Sequence, residues 1–218
     1  MNQHIMNQEE FDLWAGSYDK SVGLSDQQNT YPFAGYRQVL NEIYRGVLSQ
    51  PAKTVLDIGF GTGVLTAKLY QQGCRIFGQD FSQKMIEMAQ KKMPQAQLYQ
   101  GDFSHGLAEP LTQRSYDAIV ATYSLHHLED RQKVLFLQSL LPLLHPGGRI
   151  YIGDVAFATR AQLEACKQAA GDGWDSEEFY FVYEELKPAL PGLTFTPCSF
   201  CAGGGPRVGG GPGGVGGG

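Results

Sequence analysis

Two periodicities alternate along the chain. At the amino end, Phe11, Trp14, Ala15 and Tyr18 recur at helical spacing behind Asn7 and Glu10, an N-cap and N3 pair. The polar stretch S-D-Q-Q-N-T separates them from a second helical stripe of Phe33, Tyr36, Leu40, Ile43, Tyr44 and Val47. From residue 54 onward, short apolar runs alternate with amphipathic segments. The runs predict strands at 54–59, 75–80, 97–102, 116–123, 149–155 and 193–200. The segments between them predict helices at about 63–73, from a Ser82 cap to Pro94, at 130–144, at 159–170 and at 176–187. The last is opened by Asp175 and Glu178 in capping-box spacing. Continuously apolar strands alternating with helices predict an α/β fold, a doubly wound, mostly parallel sheet covered on both faces.

The first strand runs into V-L-D-I-G-F-G-T-G, residues 55–63, with glycines at three alternate positions. A strand that ends in a glycine turn and feeds a helix makes a ligand site at the carboxyl edge of the sheet. The glycines let a ligand approach main chain, and the helix offers free N–H groups. The dinucleotide fingerprint G-x-G-x-x-G fails, because its third glycine falls on Val64, and no G-K-[ST] of a phosphate loop is present. A nicotinamide oxidoreductase is disfavoured accordingly. The pattern that stands is D-x-G-x-G-x-G: Asp57, Gly59, Gly61 and Gly63.

Four further features fall in order behind or before it. Asp80 ends the second strand, Asp102 ends the third in G-D-F, and L-L-H-P-G-G-R-I-Y-I-G-D leads into the fifth. The amino-terminal F-D-L-W-A-G-S-Y-D precedes them all. Together these resemble the class I S-adenosylmethionine-dependent methyltransferases, over residues 11–200 and in the bacterial small-molecule type. The resemblance implies a Rossmann-like fold with a helical lid at residues 1–50 and a cofactor-binding domain at 51–202. A substrate-pocket insertion falls at about 171–187. It also implies a seventh, antiparallel strand that residues after Ala202 should supply. Residues 203–218 are mostly glycine, with too little apolar surface to offset ordering entropy, and so are expected to be disordered or artefactual.

The resemblance implies S-adenosyl-L-methionine as cofactor and S-adenosyl-L-homocysteine as product, held by Asp57, Gly59, Gly61, Gly63, Asp80, Phe81, Asp102, Phe103 and Thr122. Asp80 takes the ribose hydroxyls; its other reading is a helix cap. Asp102 sits at the adenine amino group, or is a turn aspartate. Trp14 and Tyr18 either close over the sulfonium with their π-faces or pack as core aromatics. After the fourth strand, A-T-Y-S-L-H-H-L stands where nucleic-acid base methylases carry [DNS]-P-P-[YFW], so base methylation is disfavoured. His126 and His127 are the paired titratable groups there. They act as base or orient the acceptor, or else simply pack. Tyr123, Trp174, Tyr180 and Tyr183 are candidate walls of an acceptor pocket. A catalytically silent cofactor-binding protein acting through partners is the alternative function.

Composition adds exclusions. A formal charge of −5 on 218 residues, with 18% charged, offers no basic stripe for nucleic acid. No apolar run reaches the ~20 residues of a membrane helix, and the amino end lacks a secretory pattern. The expectation is a cytoplasmic monomer or homodimer taking a small-molecule acceptor, with no membrane partner. Cys198 and Cys201 form a C-x-x-C in a strand-like stretch that puts them on opposite faces, and no second pair or spaced histidines accompany them. No metal site is expected, and the four thiols read as buried and inert.

Overall fold

The computed structural model describes residues 35–51, 54–191, 193–197, 209–210 and 213–217. The first predicted helix with Phe11, Trp14 and Tyr18, and the cysteines Cys198 and Cys201, lie outside these residues.

A seven-stranded sheet organises the fold in the order β3-β2-β1-β4-β5-β10-β8. Its strands are β1 (Thr54–Ile58), β2 (Arg75–Asp80), β3 (Gln97–Gln100), β4 (Tyr116–Thr122), β5 (Leu144–Gly153), β8 (Leu193–Pro197) and β10 (Gly213–Gly217). The first five pair in parallel. From β1 the chain winds outward through β2 and β3, then returns to β4 on the other side of β1. The switch point therefore lies between β1 and β4, where the carboxyl ends of the strands open a crevice. A small second sheet holds β6 (Val155–Phe157) between β7 (Phe181–Val182) and β9 (Gly209–Gly210).

Helices cover both faces, because the strands are apolar on both. Along β1, Val55 faces one core with α1 (Tyr36–Leu48), α2 (Val64–Gln71) and α3 (Gln83–Lys92), which contribute Ile43, Leu69 and Ala89. Leu56 and Ile58 face the other core, with Leu137 and Leu140 of α5 (Asp130–Leu140), Leu111 of the short α4 (Glu109–Thr112) and Leu186 of α7 (Tyr183–Ala189). The same alternation runs through Ala118, Ile119, Val120 and Ala121 of β4. The predicted helix at 159–170 is α6 (Arg160–Ala170), capped by Thr159 Oγ1 accepting from the Gln162 N–H at 3.3 Å.

Three sequence expectations change. The helix at 130–144 stops at Leu140, and β5 begins at Leu144, so H-P-G-G is strand and not helix cap. Gly148 is needed there because a Cβ would lie 2.9 Å from the carbonyl oxygen of Tyr116. The helix at 176–187 begins only at Tyr183, with Phe181 and Val182 drawn into pairing with β6. Asp175 Oδ1 accepts from the Glu177 N–H at 2.8 Å, a local turn, and Glu178 is occupied elsewhere, so no capping box forms. Third, the glycine-rich end is not wholly without structure. Gly213–Gly217 pairs antiparallel with both β5 and β8 as the seventh strand. Ladder bonds come from main chain alone, so a strand flanked on both sides can consist of glycines with only Val215 among them.

Helix α1 docks where β5 ends. A Cβ on Gly153 would stand 2.5 Å from Val39 Cγ1 and 2.9 Å from Ile43 Cδ1, both fully buried. Gly153→Ala should therefore push α1 off the sheet and destabilise the protein by about 1–3 kcal/mol. Urea unfolding reads this as a lowered midpoint at unchanged slope; an unchanged midpoint would mean that α1 yields without cost.

Candidate active site

The three alternate glycines all have left-handed backbone, with φ of 68° at Gly59, 54° at Gly61 and 72° at Gly63. Their surroundings differ. A Cβ on Gly59 would lie 2.5 Å from Ser124 Cβ, and one on Gly63 would lie 3.0 Å from Met93 Cε. These two glycines answer to the protein's own packing. Above Gly61 no atom of the described residues lies within 4 Å of a Cβ position, so the turn is open to them there. Ser124 closes the underside, its hydroxyl donating to the Ile58 carbonyl at 2.8 Å.

Asp80 fixes the turn. Its Oδ2 accepts the Gly61 N–H at 2.8 Å and its Oδ1 accepts the Ser82 N–H at 2.9 Å. The cap of α3 is Ser82, whose Oγ accepts from the Met85 N–H, so Asp80 is not itself that cap. Asp57 lies one strand over and is fully buried. Thr66 Oγ1 of α2 donates to its Oδ2, while its Oδ1 has no hydrogen-bond partner. Burial raises its pKa to about 7, against the lowering effect of Thr66 and with the Asp80 charge adding to the rise.

Beyond Asp80 the ring of Phe81 is 75% exposed. Asp102 stands exposed after β3, its Oδ1 accepting the Ser104 N–H at 2.8 Å. Its pKa is lowered, first by the Ser104 side chain and next by this main-chain bond. Phe103 turns inward against Phe136, with ring centroids 5.7 Å apart. Asp80, Phe81 and Asp102 thus share the carboxyl edge with the glycine turn, while Phe103 is core.

The exit of β4 is the second half of the edge. Thr122 ends the strand, half-buried. Tyr123 follows with φ 51°, the one non-glycine with positive φ among the described residues, and its ring lies 5.0 Å from that of Tyr36. His126 is buried. Its Nδ1 lies 2.7 Å from Asp154 Oδ1 and its Nε2 lies 3.4 Å from Glu178 Oε1. Nδ1 is placed to donate to the Asp154 carboxylate, and Nε2 lies within ion-pair range of Glu178. Burial lowers the pKa of this ring, yet Asp154 through its hydrogen bond and charge, and Glu178 through its charge, leave it raised; Lys133 opposes them. His127 is exposed and its ring centroid lies 4.3 Å from that of His126. Burial and the neighbouring His126 charge lower its pKa.

Asp154 organises this corner. Its Oδ2 accepts from the Leu125 and His126 N–H groups at 3.1 and 3.2 Å, and its Oδ1 accepts from Val155 N–H at 2.8 Å. Across the corner lies the segment of Glu178 and Phe179. The Phe179 N–H donates to the His126 carbonyl at 2.7 Å, and Lys133 Nζ donates to the Phe179 carbonyl. Lys133 is 1% exposed, and burial lowers its pKa.

The predicted pocket walls divide. Tyr180 is buried against Phe157, with Trp174 packed on it at 5.0 Å, and its hydroxyl donates to Glu178 Oε2 at 2.6 Å. These two aromatics belong to a small core. Tyr183 packs elsewhere, on Phe195. Sequence reasoning passed over Gln79, Asp154, Glu178 and Lys133. The signal was available for two of them: Gln79 is a polar residue inside a strand, and Asp154 interrupts the apolar run of β5 and β6. No cluster of metal-ligating side chains occurs among the described residues.

A family described as "Methyltransferase domain" matches residues 55–148, which span the glycine turn to the H-P-G-G. An uncharacterized methyltransferase of Anoxybacillus flavithermus is 38% identical over 198 residues, covering 86% of this chain and 90% of its own. One from Geobacillus kaustophilus is 39% identical over 187 residues, covering 83% and 84%. Among solved structures, magnesium protoporphyrin IX methyltransferase of Synechocystis superposes with TM-score 0.66 at 19% identity, over 96% of this chain and 95% of that one. The N-methyltransferase NodS of Bradyrhizobium japonicum gives 0.63 at 20%, over 96% and 98%. At such identities the superpositions show the fold.

The two histidines should titrate apart. The raised His126 pKa means that its pairing with Asp154 and Glu178 stabilises the protein fully below the ordinary value of 6.5 and ceases to do so as pH rises through the folded value. Proton NMR should show His126 titrating above 6.5, His127 below it, and His126 falling in Asp154→Asn. A His126 ring that titrates below 6.5 would contradict the two-carboxylate arrangement.

Proposed function

The chain belongs to the class I S-adenosylmethionine-dependent methyltransferase family, and we propose that it moves the methyl group of S-adenosylmethionine to a small-molecule acceptor by in-line displacement. One observation carries this reading: of three left-handed glycines in one turn, two meet protein, while a Cβ on Gly61 would meet none of the described residues, and the Gly61 N–H is held by Asp80. A position where the protein needs no glycine for its own packing, yet has one, suits a ligand lying against the main chain.

The residues along the edge fit the cofactor's parts. Asp80 uses one lone pair of each oxygen on main chain, leaving acceptor capacity for the two ribose hydroxyls. Asp57 Oδ1, buried without a partner, suits the ammonium of the amino-acid end, and a cation there would offset the burial that raises its pKa. Phe81 offers an exposed ring to the adenine, and Asp102 an exposed acceptor. Thr122 lines the crevice at the switch point. Gly59, Gly63 and Phe103 support the turn from beneath.

When bound, the sulfonium supplies a methyl carbon already activated toward a nucleophile. The chain's own work is alignment and the exclusion of water. His126 is not the proton acceptor in this reading, since both its nitrogens face carboxylates; it orients the β4 exit through Asp154. His127, exposed and with a lowered pKa, is the group assigned to take a proton where the acceptor arrives with one. Tyr123, in strained backbone at the same exit, is assigned to the acceptor side. The charge of −5, with no P-P pair after β4, favours a small acceptor over nucleic acid. No described helix is long and apolar enough to cross a membrane.

Gly61→Ala adds a Cβ that meets no atom of the described residues and carries only the modest strain of a left-handed residue. The variant should fold, with unchanged circular dichroism, and lose S-adenosylhomocysteine affinity by at least about tenfold in calorimetry, with methyl transfer from radiolabelled cofactor into a metabolite extract falling alongside. Wild-type affinity in the folded variant would remove the cofactor from this turn.

A further inference from the structure

We propose that Gln79 is a positioning residue for the adenosine end of the cofactor, joining the glycine turn to the loop that presents Asp102; this rests on the cofactor reading above. Gln79 lies inside β2 and is 1% exposed. An apolar residue would suit the strand pattern there, so the amide needs a reason. It has one on each atom. Nε2 donates to the Gly106 carbonyl at 3.0 Å, and Oε1 accepts from the Ala108 N–H at 2.7 Å. Its own main-chain carbonyl accepts the Gly59 N–H at 2.8 Å.

The loop between β3 and α4 holds a single 3-10 turn, Phe103–His105, and is otherwise irregular, with Phe103 buried and Leu107 and Ala108 half-buried. Its main-chain groups cannot all find partners within the loop. Gln79 satisfies one carbonyl and one N–H of it from below, so the side chain sets the height and register of the loop over β2. Gly101 confirms how close the two run: a Cβ there would stand 2.9 Å from Gln79 Nε2. The next residue, Asp80, carries the same role upward, with its carbonyl accepting the Gly101 N–H at 3.0 Å and its carboxylate holding Gly61 and Ser82. Gln79 and Asp80 thus tie together three chain segments that must stay in register for one ligand to touch them all. Gln79 touches no ligand itself; it acts through Asp102 and Gly59.

The test uses S-adenosylhomocysteine binding by calorimetry to the full chain and to two variants. Gln79→Leu removes both side-chain bonds and should weaken binding by about tenfold or more. Gln79→Glu keeps the shape and the bond from Ala108 but, when ionised, cannot donate to Gly106. Its affinity relative to wild type should recover as pH falls and the buried carboxyl regains a donating proton. Gln79→Leu should show no such recovery. If both variants melt at lower temperature yet bind like wild type below it, Gln79 is only structural and the inference is overturned. Should Gln79→Leu fail to fold, the pH profile of Gln79→Glu decides by itself, a flat ratio to wild type overturning the proposal. Wild-type protein that binds no S-adenosylhomocysteine would remove the cofactor reading and this inference together; intact wild-type binding with indifferent variants removes the inference alone.

Discussion

At the carboxyl edge of the sheet, main-chain N–H groups leave their strands with no ladder partner, and they are held by acid side chains instead. Asp80 takes those of Gly61 and Ser82. Asp154 takes those of Leu125, His126 and Val155. Bonds from N–H to an ionised acceptor are the stronger kind, about 1.5–3 kcal/mol each. The rest of the site depends on them: the left-handed turn at 59–63, the start of α3 and the turn at 125–127 are each too short to hold a shape by packing alone.

The two acids divide the edge between two kinds of chemistry. Around Asp80 the held groups are main chain, and the buried acid Asp57 lies within reach of its charge. Around Asp154 the groups are side chains that can carry charge: His126 lies between Asp154 and Glu178, and Lys133 pairs with Asp130. That second network ties residues 178–180 to the β4 exit through bonds on both side chain and main chain. Burial and the His126 charge lower the His127 pKa, while that of His126 is raised. His126 is thereby tied to two carboxylates, and His127 stays exposed beside it.

The parallel strands and their order around the glycine turn were legible in the sequence because each is a continuous apolar run, and β2 falls at the predicted residues 75–80. Ser82 capping α3 followed from its position ahead of Met85, Ile86 and Ala89. The reading faltered where tertiary partners overruled local pattern. Asp175 and Glu178 look like a capping box, but Glu178 is claimed by His126 from another part of the chain and by Tyr180 two residues on. Trp174 and Tyr180 look like pocket aromatics, but β6 supplies Phe157 and Val155 for them to bury against. Glycine spacing marked the turn, yet could not say which glycines pack against protein, since that depends on Ser124, 65 residues beyond Gly59, and Met93, 30 residues beyond Gly63. A seventh strand of glycine is beyond any pattern of side chains, because its pairing is main chain on both sides.

The account stands on where one ligand lies, and a crystal structure of the S-adenosylhomocysteine complex tests that most directly. The account predicts the nucleoside against the main chain of Gly61, both ribose hydroxyls on the Asp80 carboxylate, and the ammonium nearest Asp57. Density for the ligand away from Gly61, or ribose hydroxyls satisfied by groups other than Asp80, would contradict it.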